Sequence, residues 1–322
     1  MIDTHAAPNH ARRVDGYAPI EDYAVLGDGR TVALIARDGR VDWWPAPTMD
    51  APPVFAAILD PADGGHLYLR PVTDEFTVTR RYLPGTNVLE TTFTTGDGSV
   101  RVTDALTVGA AGPLPWGELV RRVDGVDGVV DMTWRVAPGT RFDSAQPWTE
   151  TADGTVTVHV ADQHLGVLGF DVGNPDVAPH AVSGRFTTSP RSNGLLAVTT
   201  SDAEPLFVPE RGELDHHLDR TVARWQEWTA GVRYDGRWAG ALTRSALALK
   251  LLLYSPTGAI AAAPTTSLPE RLGGDKNWDY RYMWVRDSSF TVDALMELGL
   301  HEEVQSAVSF LLSALRRTAP AL

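Results

Sequence analysis

The sequence contains no cysteine in its 322 residues. Disulfide bonds, thiolate nucleophiles and cysteine-ligated zinc are therefore excluded. No apolar run approaches the ~18 residues that a membrane-spanning helix needs, and the most apolar stretch, residues 247–254, is interrupted by Lys250. Residues 1–13 are polar and lack the apolar core of a secretory signal. We therefore expect a cytoplasmic protein with no membrane partner.

Basic residues are fewer than acidic residues. The sequence has 28 Lys and Arg against 41 Asp and Glu, which gives a net charge of −13 and a pI near 5.1. A surface that binds phosphates needs clustered cations, so we expect no nucleic-acid partner and instead a neutral substrate. The content of 43% hydrophobic and 21% charged residues is ordinary for a soluble chain long enough to form more than one domain.

The region from residue 17 to about residue 209 has the pattern of a β protein. Short segments of alternating polarity are separated by turn signals such as GDG at residues 96–98 and DG at residues 153–154. The predicted strands are 31–35, 67–71, 76–82, 88–95, 100–108, 118–123, 129–136, 155–160 and 195–200. Short strands at this spacing predict an antiparallel sandwich or barrel rather than a βαβ fold.

Near residue 210 the apolar period changes from two residues to that of a helix. The first predicted helix is amphipathic, with an apolar stripe formed by Leu214, Leu218, Val222, Trp225 and Trp228. Further helices are predicted at residues 237–254, from about residue 286 to Gly299, and at residues 302–317. On the third of these, the apolar face is predicted to consist of Phe290, Ala294, Leu295 and Leu298.

The stretch NWDYRYMWVRD at residues 277–287 concentrates four aromatics, two arginines and two aspartates in eleven residues. Aromatic rings can stack on the C–H face of a pyranose, while guanidinium and carboxylate groups bind its hydroxyls in forked hydrogen bonds. The alternative is a buried helix start whose aromatics belong to the core and in which Arg286 pairs with Asp287. Composition alone leaves both interpretations open.

The other polar candidates are weaker. His216 and His217 are adjacent, so they point to different faces of a helix and do not form a metal pair. The loop carboxylates Glu270, Asp275 and Asp279 are interpreted as caps or solvated groups. We expect neither a metal nor a cofactor.

The stretch at residues 277–287 resembles the first barrel motif of glycoside hydrolase family 15, the bacterial glucoamylase and trehalase-like enzymes, whose pattern reads roughly NWDYRYxWxRDxSF. Three other blocks of the sequence also resemble this family. They are AAPTTSLPE at residues 262–270, YAPIEDY at 17–23 with GDGR at 27–30 and DWW at 42–44, and RYLPGTNVLE at 81–90. The four blocks occur in the family's order and cover nearly the whole chain.

The resemblance implies an N-terminal antiparallel β super-sandwich, a linker helix and the first helices of an incomplete (α/α)6 toroid. The corresponding division is a disordered lead at 1–15, a sandwich at 16–210, a linker helix at 211–235 and a partial barrel at 236–322. The implied activity is inverting hydrolysis of terminal α-linked glucose from α-glucans, maltooligosaccharides or trehalose.

The resemblance also implies roles for individual residues. Arg286 and Asp287 would bind the glucose hydroxyls far from the scissile bond, Trp284 would form the pocket wall, and Tyr280 would face the ring oxygen. Trp43 is a further candidate that could reach the site from the sandwich, with a core position as the alternative.

The family's general acid and general base come from later barrel segments, so the resemblance implies that both lie downstream of Leu322. We therefore expect this chain alone to be inactive and to associate with itself through the unclosed barrel. Two other interpretations remain open. One is a non-catalytic carbohydrate-binding or interaction fragment, and the other is a glycoside phosphorylase, which the NWDYRY motif disfavours.

Overall fold

The computed structural model describes residues 13–109, 112–202, 206–267 and 274–318. Within these ranges the strands are β1 (Ala24–Gly27), β2 (Val32–Ile35), β3 (Arg40–Pro45), β4 (Pro53–Phe55), β5 (Gly65–Pro71), β6 (Thr77–Tyr82), β7 (Leu89–Thr94), β8 (Gly98–Leu106), β9 (Val108–Gly109), β10 (Gly112–Pro113), β11 (Gly117–Gly128), β12 (Val130–Pro138), β13 (Trp148–Ala152), β14 (Thr155–Val160), β15 (Gln163–Phe170), β16 (Asp176–Ala178), β17 (Ala181–Thr188), β18 (Asn193–Ser201), β19 (Leu253–Tyr254) and β20 (Ala259–Ile260). The helices are α1 (Arg211–Thr229), α2 (Ala239–Leu251), α3 (Val285–Glu297) and α4 (His301–Thr318).

Most strands belong to two large antiparallel sheets. The first sheet has the order β1-β2-β3-β5-β12-β17-β16, with β4 beside β3, and the second has the order β13-β14-β15-β18-β11-β8-β7-β6. One hydrophobic core joins them, with Leu67 and Trp134 of the first sheet packed in the same cluster as Val100, Val102 and Val198 of the second. Two sheets that share a core in this way form a sandwich, so the predicted β-rich, antiparallel architecture is confirmed.

The turn between β13 and β14 shows how the sequence directs this pairing. Its two residues, Asp153 and Gly154, have φ angles of 50° and 78°. A two-residue hairpin with positive φ at both positions matches the right-handed twist of the flanking strands, and Asp-Gly tolerates this conformation at little cost.

The folded domain begins earlier than predicted. Arg13 donates hydrogen bonds to the carboxylates of Asp38 (2.6 Å) and Asp42 (2.8 Å), and Val14 forms a β-bridge with Tyr17. The predicted lead at 1–15 therefore extends too far at its last three residues, because a half-buried guanidinium is held there by two carboxylates. Residues 1–12 lie outside the described part of the chain.

Helix α1 packs on the outer face of the second sheet. Leu214 and Leu218 are fully buried in one cluster with Val120, Leu195 and Ala197 of that sheet. The predicted apolar stripe is confirmed at these positions. The helix ends at Thr229 rather than at residue 235, and residues 230–238 connect it to α2.

Helices α3 and α4 form a hairpin around Gly299, which has a φ of 78° and follows the last residues of α3, as predicted for a C′ glycine. Leu295 and Val304 are buried between them. Phe290, also assigned to the apolar face, is 73% exposed, because α4 packs on the side of α3 that carries Leu295. In the described ranges, no helix is long and apolar enough to cross a membrane.

Candidate functional site

The candidate site is the segment that leads into α3. Residues 278–282 run back along residues 262–267, so two of the blocks singled out in the sequence form one antiparallel unit. The backbone hydrogen bonds that join them run from Ala262 N to Tyr282 O (3.1 Å), from Ala263 N to Tyr280 O (2.8 Å) and from Ser267 N to Trp278 O (2.9 Å). We call this unit the site loop. Residues 268–273 lie outside the described part of the chain, and with them the candidate carboxylate Glu270.

Arg281 fastens the site loop to the β domain. Its guanidinium forms a fork with the carboxylate of Asp279, with Nε–Oδ1 at 3.0 Å and Nη2–Oδ2 at 2.8 Å. Its Nη1 donates to the carbonyl oxygen of Ala51 at 2.7 Å. The Arg281 side chain is only 12% exposed. Its charge and hydrogen bonds are therefore committed within the protein rather than available to a ligand.

Trp43 provides a second attachment of the same loop. Its indole Nε1 donates to the carbonyl oxygen of Pro264 at 3.0 Å, and the guanidinium carbon of Arg281 lies 5.9 Å from its ring centroid. The Trp43 side chain is 1% exposed, so the structure does not bring it to the open surface with the other candidates. We call the two hydrogen bonds that join the site loop to the β domain the brace: Trp43 donates to Pro264, and Arg281 donates to Ala51.

The aromatic side chains of the motif form an open corner. Trp284 packs at right angles to Trp278 (centroids 6.2 Å apart) and edge-on to Tyr280 (5.4 Å). Trp278 is 48% and Tyr282 55% exposed. In this chain the motif is therefore not a closed hydrophobic core, and aromatic faces reach the surface.

Arg286 and Asp287 lie in the first turn of α3, two and three residues after Trp284 in the sequence. Arg286 Nη2 is 3.2 Å from Asp287 Oδ2, and the Arg286 side chain is 72% exposed. Asp287 Oδ2 has this ion-pair contact but no hydrogen bond, and the neighbouring Ser288 Oγ is also a buried atom without a hydrogen-bond partner. Buried polar atoms are usually hydrogen-bonded, so these two atoms retain unused hydrogen-bonding capacity.

The electrostatics argue against Asp279 as a general acid. Partial burial tends to raise the pKa of Asp279, but the hydrogen bonds and charge of Arg281 outweigh this and hold the pKa below its ordinary value. A general acid needs a carboxyl group that stays protonated near its working pH. Asp279 is therefore a structural anion that orients Arg281.

The sequence block at residues 81–90 lies where the β domain meets α2. Arg244 of α2 donates to the carbonyl of Thr86 (2.9 Å) and lies 4.1 Å above the ring of Tyr82. Asn87 Nδ2 donates to the carbonyl of Leu247 at 3.2 Å. The block at residues 81–90 therefore docks α2, a role that the sequence reasoning missed because the partners are about 160 residues apart.

A buried ion pair fastens α1 to the second sheet. His217 Nδ1 lies 2.9 Å from Glu118 Oε1, and the Glu118 side chain is fully buried. The hydrogen bond with Glu118 raises the pKa of His217 above its ordinary value, against the opposing effect of burial. His217 is therefore a structural residue.

Comparisons with known proteins find two families in the chain. Residues 236–321 match Glycosyl hydrolases family 15, and residues 13–174 match the family Trehalase-like, N-terminal. Trehalase from Mycolicibacterium smegmatis is 35% identical over 326 residues, which covers 92% of this chain and 47% of that protein. Trehalase from Thermoplasma volcanium is 31% identical over 300 residues, covering 90% and 46%. The chain thus spans about half the length of the curated relatives it matches.

A bacterial glucoamylase complexed with acarbose has a similar fold. The superposition has a TM-score of 0.62 at 11% sequence identity and covers 95% of this chain and 52% of the glucoamylase. At this identity the likeness concerns the fold alone.

Proposed function

The chain belongs to glycosyl hydrolases family 15 and carries the trehalase-like N-terminal domain, and from this we propose that it forms the glucose-recognition part of an inverting α-glucosidase. The relatives in Mycolicibacterium and Thermoplasma are named trehalase, which favours trehalose over maltooligosaccharides as the substrate. The reaction would be hydrolysis of the α-glucosidic bond, with one glucose unit held by the motif at 277–287.

The observation that carries this proposal is a pair of buried oxygens at the start of α3 that form no hydrogen bond. Asp287 Oδ2 contacts only the guanidinium of Arg286 as an ion pair, Ser288 Oγ has no hydrogen-bond partner, and both residues follow the aromatic corner built on Trp284. A sugar hydroxyl can donate to a carboxylate and accept from a serine hydroxyl, while a ring C–H face packs on indole. Trehalose offers both surfaces and carries no charge.

For the individual residues we propose the roles that the resemblance to the family motif implies. Arg286 and Asp287 would bind the hydroxyls far from the scissile bond as a charged fork, which discriminates against sugars with another hydroxyl configuration. Trp284 would form the wall, and Tyr280 would face the ring oxygen, where positive charge develops in an oxocarbenium-like transition state. Trp43 would act through the brace and would not touch the sugar.

The described carboxylates of the site suit binding rather than cleavage. Inverting hydrolysis needs one carboxylic acid and one carboxylate about 6.5–9.5 Å apart on opposite sides of the bond. Asp279 is held ionised by Arg281, and we assign Asp287 to the sugar hydroxyls. We therefore propose that the acid and the base are not among the described residues of the site and that this chain binds its sugar without hydrolysing it.

For the fold we propose a β-sandwich domain that ends near residue 210, a linker that contains α1, and part of an (α/α)6 barrel at 236–322. Helices α2, α3 and α4 would be the first barrel helices. Phe290, Leu312 and Leu315 are 73%, 49% and 51% exposed, and apolar side chains of this kind are the surface that further barrel helices would cover. Left uncovered, they would promote association between copies of the chain.

The proposal is tested by titrating the 322-residue chain with trehalose and following tryptophan fluorescence and calorimetric heat. We expect saturable binding, with no release of glucose. Asp287→Asn should weaken it about tenfold or more, because hydrogen bonds to a charged group contribute ~1.5–3 kcal/mol. The matched control Asp293→Asn alters an exposed carboxylate of the same helix and should bind as the wild type does. Absence of binding, equal effects of the two substitutions, or glucose release would contradict the proposal.

A further inference from the structure

Trp148 is an exposed aromatic on the β domain, away from the motif in sequence. It is the first residue of β13, the edge strand of the second sheet, and is 51% exposed. Its ring stacks on that of His159, its cross-strand neighbour in β14, with centroids 3.9 Å apart and planes 13° apart. His159 is itself held by His164, with Nδ1 atoms 2.7 Å apart. One face of the indole is therefore fixed against a rigid support, and half of the residue's surface remains open to solvent.

A hydrogen-bonding group lies beside this ring on the same face of the sheet. Side chains two residues apart on a strand share a face, which places Glu150 next to Trp148, opposite Thr157 of β14. The Glu150 side chain is 54% exposed, and its Oε2 lies 3.4 Å from His159 Nε2. The open indole thus has a carboxylate at its side that can accept bonds from hydroxyl groups.

The same face continues into a cleft. The register places Ala152 opposite Thr155 in the next row, about 13 Å along the strand from Trp148 at ~3.3 Å per residue. Thr155 and Phe170 line a cleft of about 550 Å³ whose walls include residues 208–211 and also Trp134, Val156 and Val167 of the sandwich core. The aromatic platform and the carboxylate therefore lie on the outer face of β13 and β14, and the cleft opens beside Thr155 at the end of this face.

This combination fits an extended neutral sugar chain better than another protein strand. A charged residue and a bulky ring on an edge strand oppose the addition of a further strand, whereas a fixed aromatic face with a neighbouring hydrogen-bond acceptor suits a pyranose ring and its hydroxyls. The chain's net charge of −13 disfavours an acidic ligand. We propose that Trp148, Glu150 and the adjoining cleft form a surface site that binds a neutral glucan.

The site shares no residue with the motif at 277–287, so it goes beyond the proposed function. A glucan held there would tether the protein to a polymeric source of glucose units. Because Trp148 is already immobilised by His159, little side-chain freedom is lost on binding, and such preorganisation favours affinity.

The test is native affinity electrophoresis of the full chain in gels that contain glycogen or hydroxyethylcellulose, two neutral glucans with different linkages. We expect retardation in at least one of them, and a loss of affinity of about tenfold or more in Trp148→Ala, as for other central aromatic anchors. Trp238→Ala is the matched control, since Trp238 is also 51% exposed but precedes α2. It should be retarded like the wild type. Glu150→Gln, a change at an exposed side chain, should weaken retardation while the thermal melt stays unchanged.

Several outcomes would overturn the inference. They are migration of the wild type unaffected by either glucan, undiminished retardation of Trp148→Ala, equal loss in Trp238→Ala, and release of the retarded protein by excess trehalose. The last result would place the glucan at the motif. The variant Asp287→Asn separates this proposal from the previous one, because it should lose trehalose binding and keep retardation by the glucan.

Discussion

Replacing Arg281 by Met should loosen the site loop without unfolding the domain. The substitution keeps the length of the side chain and removes its hydrogen bonds. In the native chain these are the fork with Asp279, at 3.0 and 2.8 Å, and the bond to the carbonyl oxygen of Ala51 at 2.7 Å. The link to Ala51 crosses from the site loop to the β domain, so its loss should free the loop to open locally.

The size of the effect follows from these contacts. Hydrogen bonds between charged groups contribute a net ~1.5–3 kcal/mol and a bond to a carbonyl ~1 kcal/mol. The lower part of this range applies to the fork, since Asp279 is 30% exposed and solvent screens it. We expect the free energy of opening to fall by roughly 2–3 kcal/mol, which corresponds to amide exchange roughly 30- to 150-fold faster at 1.4 kcal/mol per factor of ten.

Native-state hydrogen exchange measured by mass spectrometry can follow this opening. The reporters are the backbone amides of Ala262, Ala263 and Ser267, which donate across the loop. The matched control is Arg286→Met, the same chemical change at a side chain that is 72% exposed. It should leave the exchange of the three amides within about twofold of the wild type, because exposed ion pairs contribute little.

Unchanged protection of the three amides in Arg281→Met, or equal acceleration in Arg286→Met, would contradict the attachment of the site loop through Arg281. Faster exchange throughout the β strands would show instead that Arg281 supports the whole domain. The conservative variant Arg281→Lys retains the charge but not the fork and should fall between the wild type and Arg281→Met.

Two further predictions concern the attachment of the helices. Glu118 raises the pKa of His217, so the contribution of this ion pair to stability should be complete below the unfolded-state pKa of ~6.5 and lost as the pH rises through the folded-state pKa. In urea unfolding, the difference in stability between the wild type and His217→Asn should be present at about pH 5.5 and should shrink by about pH 9. A pH-independent difference would contradict this. Arg244→Met should lower the free energy of unfolding by roughly 1–2 kcal/mol, since it loses a carbonyl bond and a cation–π contact with Tyr82, whereas the exposed Arg237→Met should have little effect in the same denaturation assay.

Part of the fold could be predicted from local pattern. The Asp-Gly turn at residues 153–154 and the strand that follows it, at 155–160, were predicted, because turn chemistry and the period of two act over neighbouring residues. Strands β13, β15 and β17 were among those missed. Gly184 of β17 is small because the indole of Trp134 occupies the space in which a Cβ atom would lie, which is information about another strand.

The candidate site shows the same limit. The motif at 277–287 indicated the candidate sugar-binding residues, but it did not show which of its two arginines is exposed to solvent. Arg281 is fastened to the β domain by its bond to the carbonyl of Ala51, 230 residues away, and the sequence does not reveal which residue supplies a backbone acceptor. Phe290 was misplaced for a related reason: helical periodicity defines an apolar face, but not whether a neighbour covers it.

The brace has one more consequence, for how the sequence can change over time. Trp43 and Arg281 both donate to main-chain carbonyls, those of Pro264 and Ala51, and every residue type offers such a carbonyl. The acceptor positions are therefore free to drift while the donors are constrained. In a collection of related sequences, the acceptor residues should therefore change without any matching change in the donor residues. Methods that infer contacts from paired substitutions would overlook this attachment.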